Sequence, residues 1–289
     1  MRIPFKKTAF LSLAATVCFT LLRILQIFFC CDPETGFFYV GYEKIGTEFS
    51  IVIFAFLIIC FFLSFLEQKT AAEYPKTGLL MAIGYFLVGA LVIFDLIFFP
   101  SDFSLGLPQR LLFSVFGIVT AAVAVLEAVN YLYPLDFLDF IRNENGKIFP
   151  VFSIAALVFW ILRTVFFFAF YTEMAVISDH VFDIIALLCV LVLLLYIAYL
   201  SNDVQSVKAK RRLLPLLILS FLTCVCSSLP HFLLFIFGQK ERLHNFNSNH
   251  ITVLGIAVFL GIFYFGSFSE ENLREKVKKH KKDLSRFIR

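Results

Sequence analysis

Apolar residues run in long blocks along the chain, roughly 8–30, 49–66, 79–99, 111–134, 148–170, 181–200, 213–237 and 251–267, separated by short polar connections. Blocks of about 17–25 apolar residues have the length a helix needs to cross a hydrocarbon layer about 30 Å thick. Strands of a membrane barrel would be about half as long and would alternate in polarity, which these blocks do not. The pattern predicts an all-α, polytopic helical membrane protein with about eight transmembrane helices. Seven is the rival count, because the last block is short and the fourth contains Glu127. The first block stops at Asp32-Pro33-Glu34-Thr35-Gly36, where proline cannot continue the helix and the flanking residues favour a turn.

The first and fifth blocks resemble each other. TAFLSLAATVCFTLLR (8–23) aligns without a gap on IFPVFSIAALVFWILR (148–163), and Ala15/Ala155, Phe19/Phe159, Leu22/Leu162 and Arg23/Arg163 coincide. The Leu-Arg pairs carry the match, because arginine inside a span is rare. Further on, Leu66 meets Leu200, and Leu79-Leu80 meets Leu213-Leu214. The expected organisation is a parallel 4+4 repeat: residues 1–138 and 139–267 as two four-helix halves, then a tail over 268–289. An even number of spans per half gives both halves the same orientation.

Composition agrees: 60% of residues are hydrophobic, 16% are charged and 40 are phenylalanine. A soluble chain is about half apolar and about a quarter charged, so that class is excluded. Charge then sets the expected orientation. With the N-terminus inside, nineteen of the lysines and arginines outside the spans fall on cytoplasmic pieces, and only Lys44, Arg110, Lys240 and Arg242 fall outside. This bias predicts a multi-pass protein of the cell membrane with both termini cytoplasmic. Arg2, Lys6 and Lys7 precede the first block as in a signal peptide, but the run is long and lacks a small-residue cleavage site, so it is read as an uncleaved span. Seven cysteines lie mostly within spans and show no disulfide or zinc spacing.

Candidate chemistry rests on the residues that do not belong in lipid. At 100° per residue, Ser12, Thr16, Thr20 and Gln26 share one side of the first helix with Arg23, so this stripe must face the bundle interior. The repeat supplies counterparts: Arg23 with Arg163, Glu48 with Asp183, Asp95 with His231. Satisfied within its own half, Arg23 would approach Glu48 or Asp95, and Arg163 would approach Asp183 or another polar group at the outer end. Such a cluster is either a set of structural inter-helix bonds or the lining of a polar, outward-opening cavity for an ion or small solute. In the fourth block, Gly117, Ala121, Ala124 and Ala128 form a small-residue stripe suited to close packing. Glu127 beside it is either a proton-carrying carboxylate or a buried neutral acid. The loop from 31 to 48 forms an acidic flap over the arginine end of the first helix.

No catalytic signature is present: H-E-x-x-H, G-x-S-x-G, the P-loop and the Rossmann glycines are all missing, so no catalytic residue, cofactor or metal is expected. Asp179-His180-x-x-Asp183 reads as helix capping rather than a ligand set. The tail carries Lys276, Lys278, Lys279, Lys281 and Lys282, with Leu273, Val277, Leu284, Phe287 and Ile288 on one helical side. Its expected partner is the anionic headgroup surface of the cytoplasmic leaflet, not nucleic acid.

The L-R-x-x-Q motif at 22–26, followed by D-P-E-T-G-F at 32–37 and by L-R and S-D-H one half later, resembles a set of uncharacterised bacterial integral membrane proteins. The resemblance implies the architecture and carries no activity. Two functions fit the sequence. One is a transporter or solute-binding protein with an outward-facing charged cavity between the halves. The other is a non-catalytic membrane sensor or assembly component.

Overall fold

A computed structural model describes residues 5–65, 79–132, 148–172, 178–201, 207–239, 241, 243 and 246–264. Within them the chain forms eight α-helices: α1 (Phe5–Cys30), α2 (Glu43–Phe65), α3 (Leu79–Asp102), α4 (Leu107–Leu132), α5 (Ile148–Thr172), α6 (Ser178–Ser201), α7 (Val207–Ile236) and α8 (Ser248–Tyr264). Extended pairing among the described residues is confined to the single bridge Cys31–Phe38. Five helices, α1 to α4 and α7, are long and apolar enough to cross a membrane. Shorter apolar stretches fill α5, α6 and α8. The chain is thus a multi-pass helical membrane protein. Helices suit that setting because each satisfies its own backbone bonds where water is lacking.

Hydroxyls inside the helices find partners locally. Thr16, Thr20, Thr120, Thr164 and Ser228 each donate to the carbonyl four residues back. Large apolar side chains such as Phe10, Val17, Ile51, Phe62, Ile97 and Ile118 point outward, as a lipid-facing surface requires.

The bundle is built around α7, which packs on α1, α2 and α6. Two-thirds (67%) of its membrane-length stretch is buried, against 22% for α2 at the periphery. The most extensive packing is between α3 and α4, and the small-residue stripe explains it. Ala121, Ala124 and Ala128 are buried, and at Gly117 an added Cβ would run into Leu96 of α3. The stripe therefore does what its spacing predicts.

Several helices extend past their apolar blocks, α3 and α2 among them. Helix α3 continues through Pro100 to Asp102, three residues past the expected end, and the Pro100 carbonyl is taken by the Leu105 N–H and the Arg110 guanidinium. Helix α2 starts at Glu43, six residues before its apolar block. Hydropathy marks the part of a helix that suits lipid, not the turns that project from it.

The turn after α1 forms as its residues predict. Asp32 accepts from the Glu34 N–H at 3.0 Å and from the Thr35 hydroxyl at 2.8 Å, and Gly36 takes a positive φ of 71°. The Asp32 N–H donates to the Phe37 carbonyl and the Tyr39 N–H to that of Cys30, folding the loop back over the end of α1. Residues 268–289, including the five tail lysines, lie outside the described residues.

Candidate functional site: a buried polar layer beneath an aromatic cleft

Near the predicted outer end, the ionisable side chains turn inward. Arg163 of α5 pairs with Asp95 of α3, Nε to Oδ2 at 2.6 Å and Nη2 to Oδ1 at 3.5 Å, and both side chains are fully buried. The Thr252 hydroxyl of α8 donates to the same carboxylate. The Phe99 and Trp160 rings lie 5.2 and 5.4 Å from the guanidinium carbon. Opposite charge, hydrogen bonds and ring faces together offset the large cost of moving an arginine and an aspartate out of water.

Arg23 of α1 occupies the equivalent position and is equally buried. It donates to Gln26 one turn along, and the Phe182 ring of α6 lies 4.1 Å from its guanidinium carbon. The Gln26 amide in turn donates to the Gly46 carbonyl and the Ser50 hydroxyl, both at 2.7 Å, tying α1 to α2. Gly46 has no side chain to spare here, because Phe38 from the 31–42 loop packs directly onto it. The flap is therefore pinned above the Arg23–Gln26 pair.

A third group centres on Asp183 of α6, which accepts from Ser227 of α7 and lies 3.7 Å from His250 Nε2 of α8. The His250 ring is 4.4 Å from that of His231, whose Nδ1 donates to the Ser227 carbonyl at 2.9 Å. His250 Nδ1 lies 3.1 Å from the Asn247 side-chain oxygen.

These contacts correct the expected pairing. Arg163 binds Asp95, from the other half of the chain, and not Asp183. Glu48 is exposed and touches neither arginine, and Asp95 does not reach Arg23. Arg23, Gln26, Asp95, Arg163, Asp183 and His231 are all at 3% exposure or less, and for Arg23 and Gln26 this is the inward face that the stripe on the first helix predicts. Glu127 is half-buried on α4, toward the opposite end from this layer.

Sequence reasoning missed the first turns of α8. Ser248, Asn249, His250 and Thr252 are all buried, and three of them touch aspartates: Ser248 meets Asp102, His250 meets Asp183 and Thr252 meets Asp95. The available signal was the tripeptide Ser248-Asn249-His250 opening an apolar block, which parallels Ser178-Asp179-His180 at the start of α6.

Above the layer lies a cleft of about 480 Å3 between α3, α5 and the start of α8. Its walls are Phe94, Phe98, Phe103, Phe170, Phe246 and Ile251. Asp102, Asn247 and Ser248 supply its polar groups. Asp102 and Asp95 are seven residues apart on one face of α3, so the cleft stands about 10 Å along the helix from the Asp95–Arg163 pair. Ser248 and Thr252 bridge the same interval on α8. The hydroxyl of Ser248, a cleft-lining residue, both polar atoms of the next residue's Asn249 amide and Arg163 Nη1 of the pair are buried without a hydrogen-bond partner among the described residues.

No family model, curated protein or solved structure matches the chain, so the reading of this site rests on its own geometry.

Proposed function

We propose that the protein binds and transports a small solute or ion, entering from the cell exterior through the aromatic cleft and engaging the polar layer beneath it. The observation that carries this reading is the set of buried polar atoms with unused hydrogen-bonding capacity on cleft-lining Ser248, on Asn249 beside it and on Arg163 of the ion pair. Buried polar groups in a purely structural network are almost always satisfied, because each orphan costs about 1–3 kcal/mol. Unpartnered groups on a cleft-lining residue and on the ion pair are what a solute with polar groups of its own would complete. Ionisable residues at membrane depth also mark solute and proton pathways in general.

In this proposal the chain spans the membrane eight times as two parallel halves, 1–138 and 139–267, with both termini cytoplasmic. The tail 268–289 lies on the anionic leaflet. The halves exchange partners in a matching way: α1 packs against α7, and Arg163 of α5 reaches Asp95 of α3. Arg23 and Arg163 are also alike in burial and in their aromatic cover. The likeness of L-R-x-x-Q and D-P-E-T-G-F to bacterial membrane proteins belongs to the same proposal.

One observation favours the second reading, a non-catalytic assembly or sensing component: Asp95 and Arg163 neutralise each other at zero exposure. Substituted-cysteine labelling separates the two. Asn249→Cys, treated in intact cells with a membrane-impermeant thiol reagent, is expected to react, with the exposed Ser104→Cys as positive control. Reaction at residue 104 and none at residue 249 favours the closed, structural core and sinks the transport reading.

A further inference from the structure

The cleft combines features that select a particular kind of molecule. Five of its lining residues are phenylalanines, whose ring faces carry negative electrostatic potential. Its one charged lining residue is Asp102, an exposed carboxylate on the last turn of α3. Asp102 Oδ2 accepts from the Ser248 N–H at 3.0 Å and so caps the start of α8. Among the described residues it has no cationic partner. Arg110, the nearby cation, is committed to the carbonyls of Leu105 and Pro100. A second polar residue lines the same cleft: Ser248, 5% exposed, whose hydroxyl has no hydrogen-bond partner among the described residues.

We propose that this cleft is a binding site for an organic cation: a protonated amine on a compact apolar or aromatic body. The inference deepens the transport reading above and rests on it. The ammonium would sit against the Asp102 carboxylate, with one N–H directed to the Ser248 hydroxyl. The apolar body would lie among Phe94, Phe98 and Phe170, where ring faces favour a nearby cation and the walls bury its hydrocarbon. The volume, about 480 Å3, is in the range of pockets that enclose small ligands. A carboxylate ligand would meet Asp102 as a like charge. A neutral molecule of the same shape would gain only the apolar burial.

The test uses the full-length protein in phosphatidylcholine nanodiscs, with empty nanodiscs subtracted, and three probes on a similar frame: phenethylammonium, phenethyl alcohol and 3-phenylpropionate. Calorimetric titration is expected to give saturable binding of phenethylammonium about tenfold tighter than the alcohol, with the carboxylate weakest. Asp102→Asn keeps an oxygen to cap Ser248, so its thermal melt is expected to match the parent while the preference for the ammonium disappears. Equal binding of ammonium and alcohol would identify an apolar crevice that takes lipid chains, and would overturn the proposal. So would a preference for the ammonium that survives Asp102→Asn. If no probe binds but Asn249→Cys still reacts from outside, this inference fails alone. If both fail, the transport reading falls with it.

Discussion

Arg23 and Arg163 start from the same local sequence, Leu-Arg preceded by an aromatic three residues back, and both end fully buried beside aromatic rings. One connection made from each differs in range. Arg23 donates to Gln26, three residues along its own helix, and Gln26 passes the connection to the start of α2. Arg163 reaches Asp95, 68 residues away on α3, with Thr252 of α8 completing the set. The first arrangement fixes a helix to its neighbour in sequence. The second joins three helices from both halves of the chain and lies under the cleft. Two similar Leu-Arg stretches thus sit in different surroundings, and it is the Arg163 side that lies under the cleft.

If this distinction is right, the largest effect comes from breaking the Asp95–Arg163 pair. Asp95→Leu or Arg163→Leu leaves a buried charge without its partner, with an expected loss of about 3–5 kcal/mol. The double replacement removes both charges and is expected to recover most of that loss, since apolar substitutes for a buried pair are often neutral or better. Denaturant unfolding of the four proteins in micelles measures the cycle. Additive losses in the double variant would show that the two groups act independently.

Gln26→Leu tests the other end. It removes the acceptor for Arg23 and the donor to Gly46 and Ser50, but it strands no carboxylate, so the expected loss is smaller, about 2–3 kcal/mol. The same unfolding measurement ranks it against Asp95→Leu. A larger loss than Asp95→Leu would reverse the comparison and make the Arg23 end the more tightly built one.

What the sequence made legible follows the same division of range. The spans, the close α3–α4 contact through Gly117 and Ala121, the turn at Asp32 and the inward face of Arg23 all depend on residues within a few turns of one another. Periodicity and turn chemistry report such relations directly. The partner of Arg163 depends on which helices pack together, and a hydrophobic pattern common to all spans holds no record of that. Asp95 and Asp183 were each visible as acids at membrane depth, yet nothing local could assign one to Arg163 and the other to Ser227 and His250. The cleft was hidden for a different reason. Phenylalanines on α3 and α5 read as lipid-facing or core residues until the start of α8 places Phe246 and Ser248 opposite them.

The smallest effect is expected at Glu48, which the sequence offered, with Asp95, as a partner for Arg23. Helix α2 begins at Glu43, so Glu48 lies within it rather than at its start, and helical geometry fixes its direction. Gly46 and Ser50, four residues apart, share the face that meets Gln26. Glu48 is two residues from each, about 200° around the helix, and therefore points away from α1. It is exposed, and no bond ties it to another described residue. Glu48→Gln removes a charge from the surface and nothing from the Arg23–Gln26–Gly46 connection. Its unfolding midpoint is expected to match the parent within error. A loss comparable to that of Gln26→Leu would mean that α2 is turned by about half a rotation, with Glu48 rather than Gly46 and Ser50 facing the arginine end of α1.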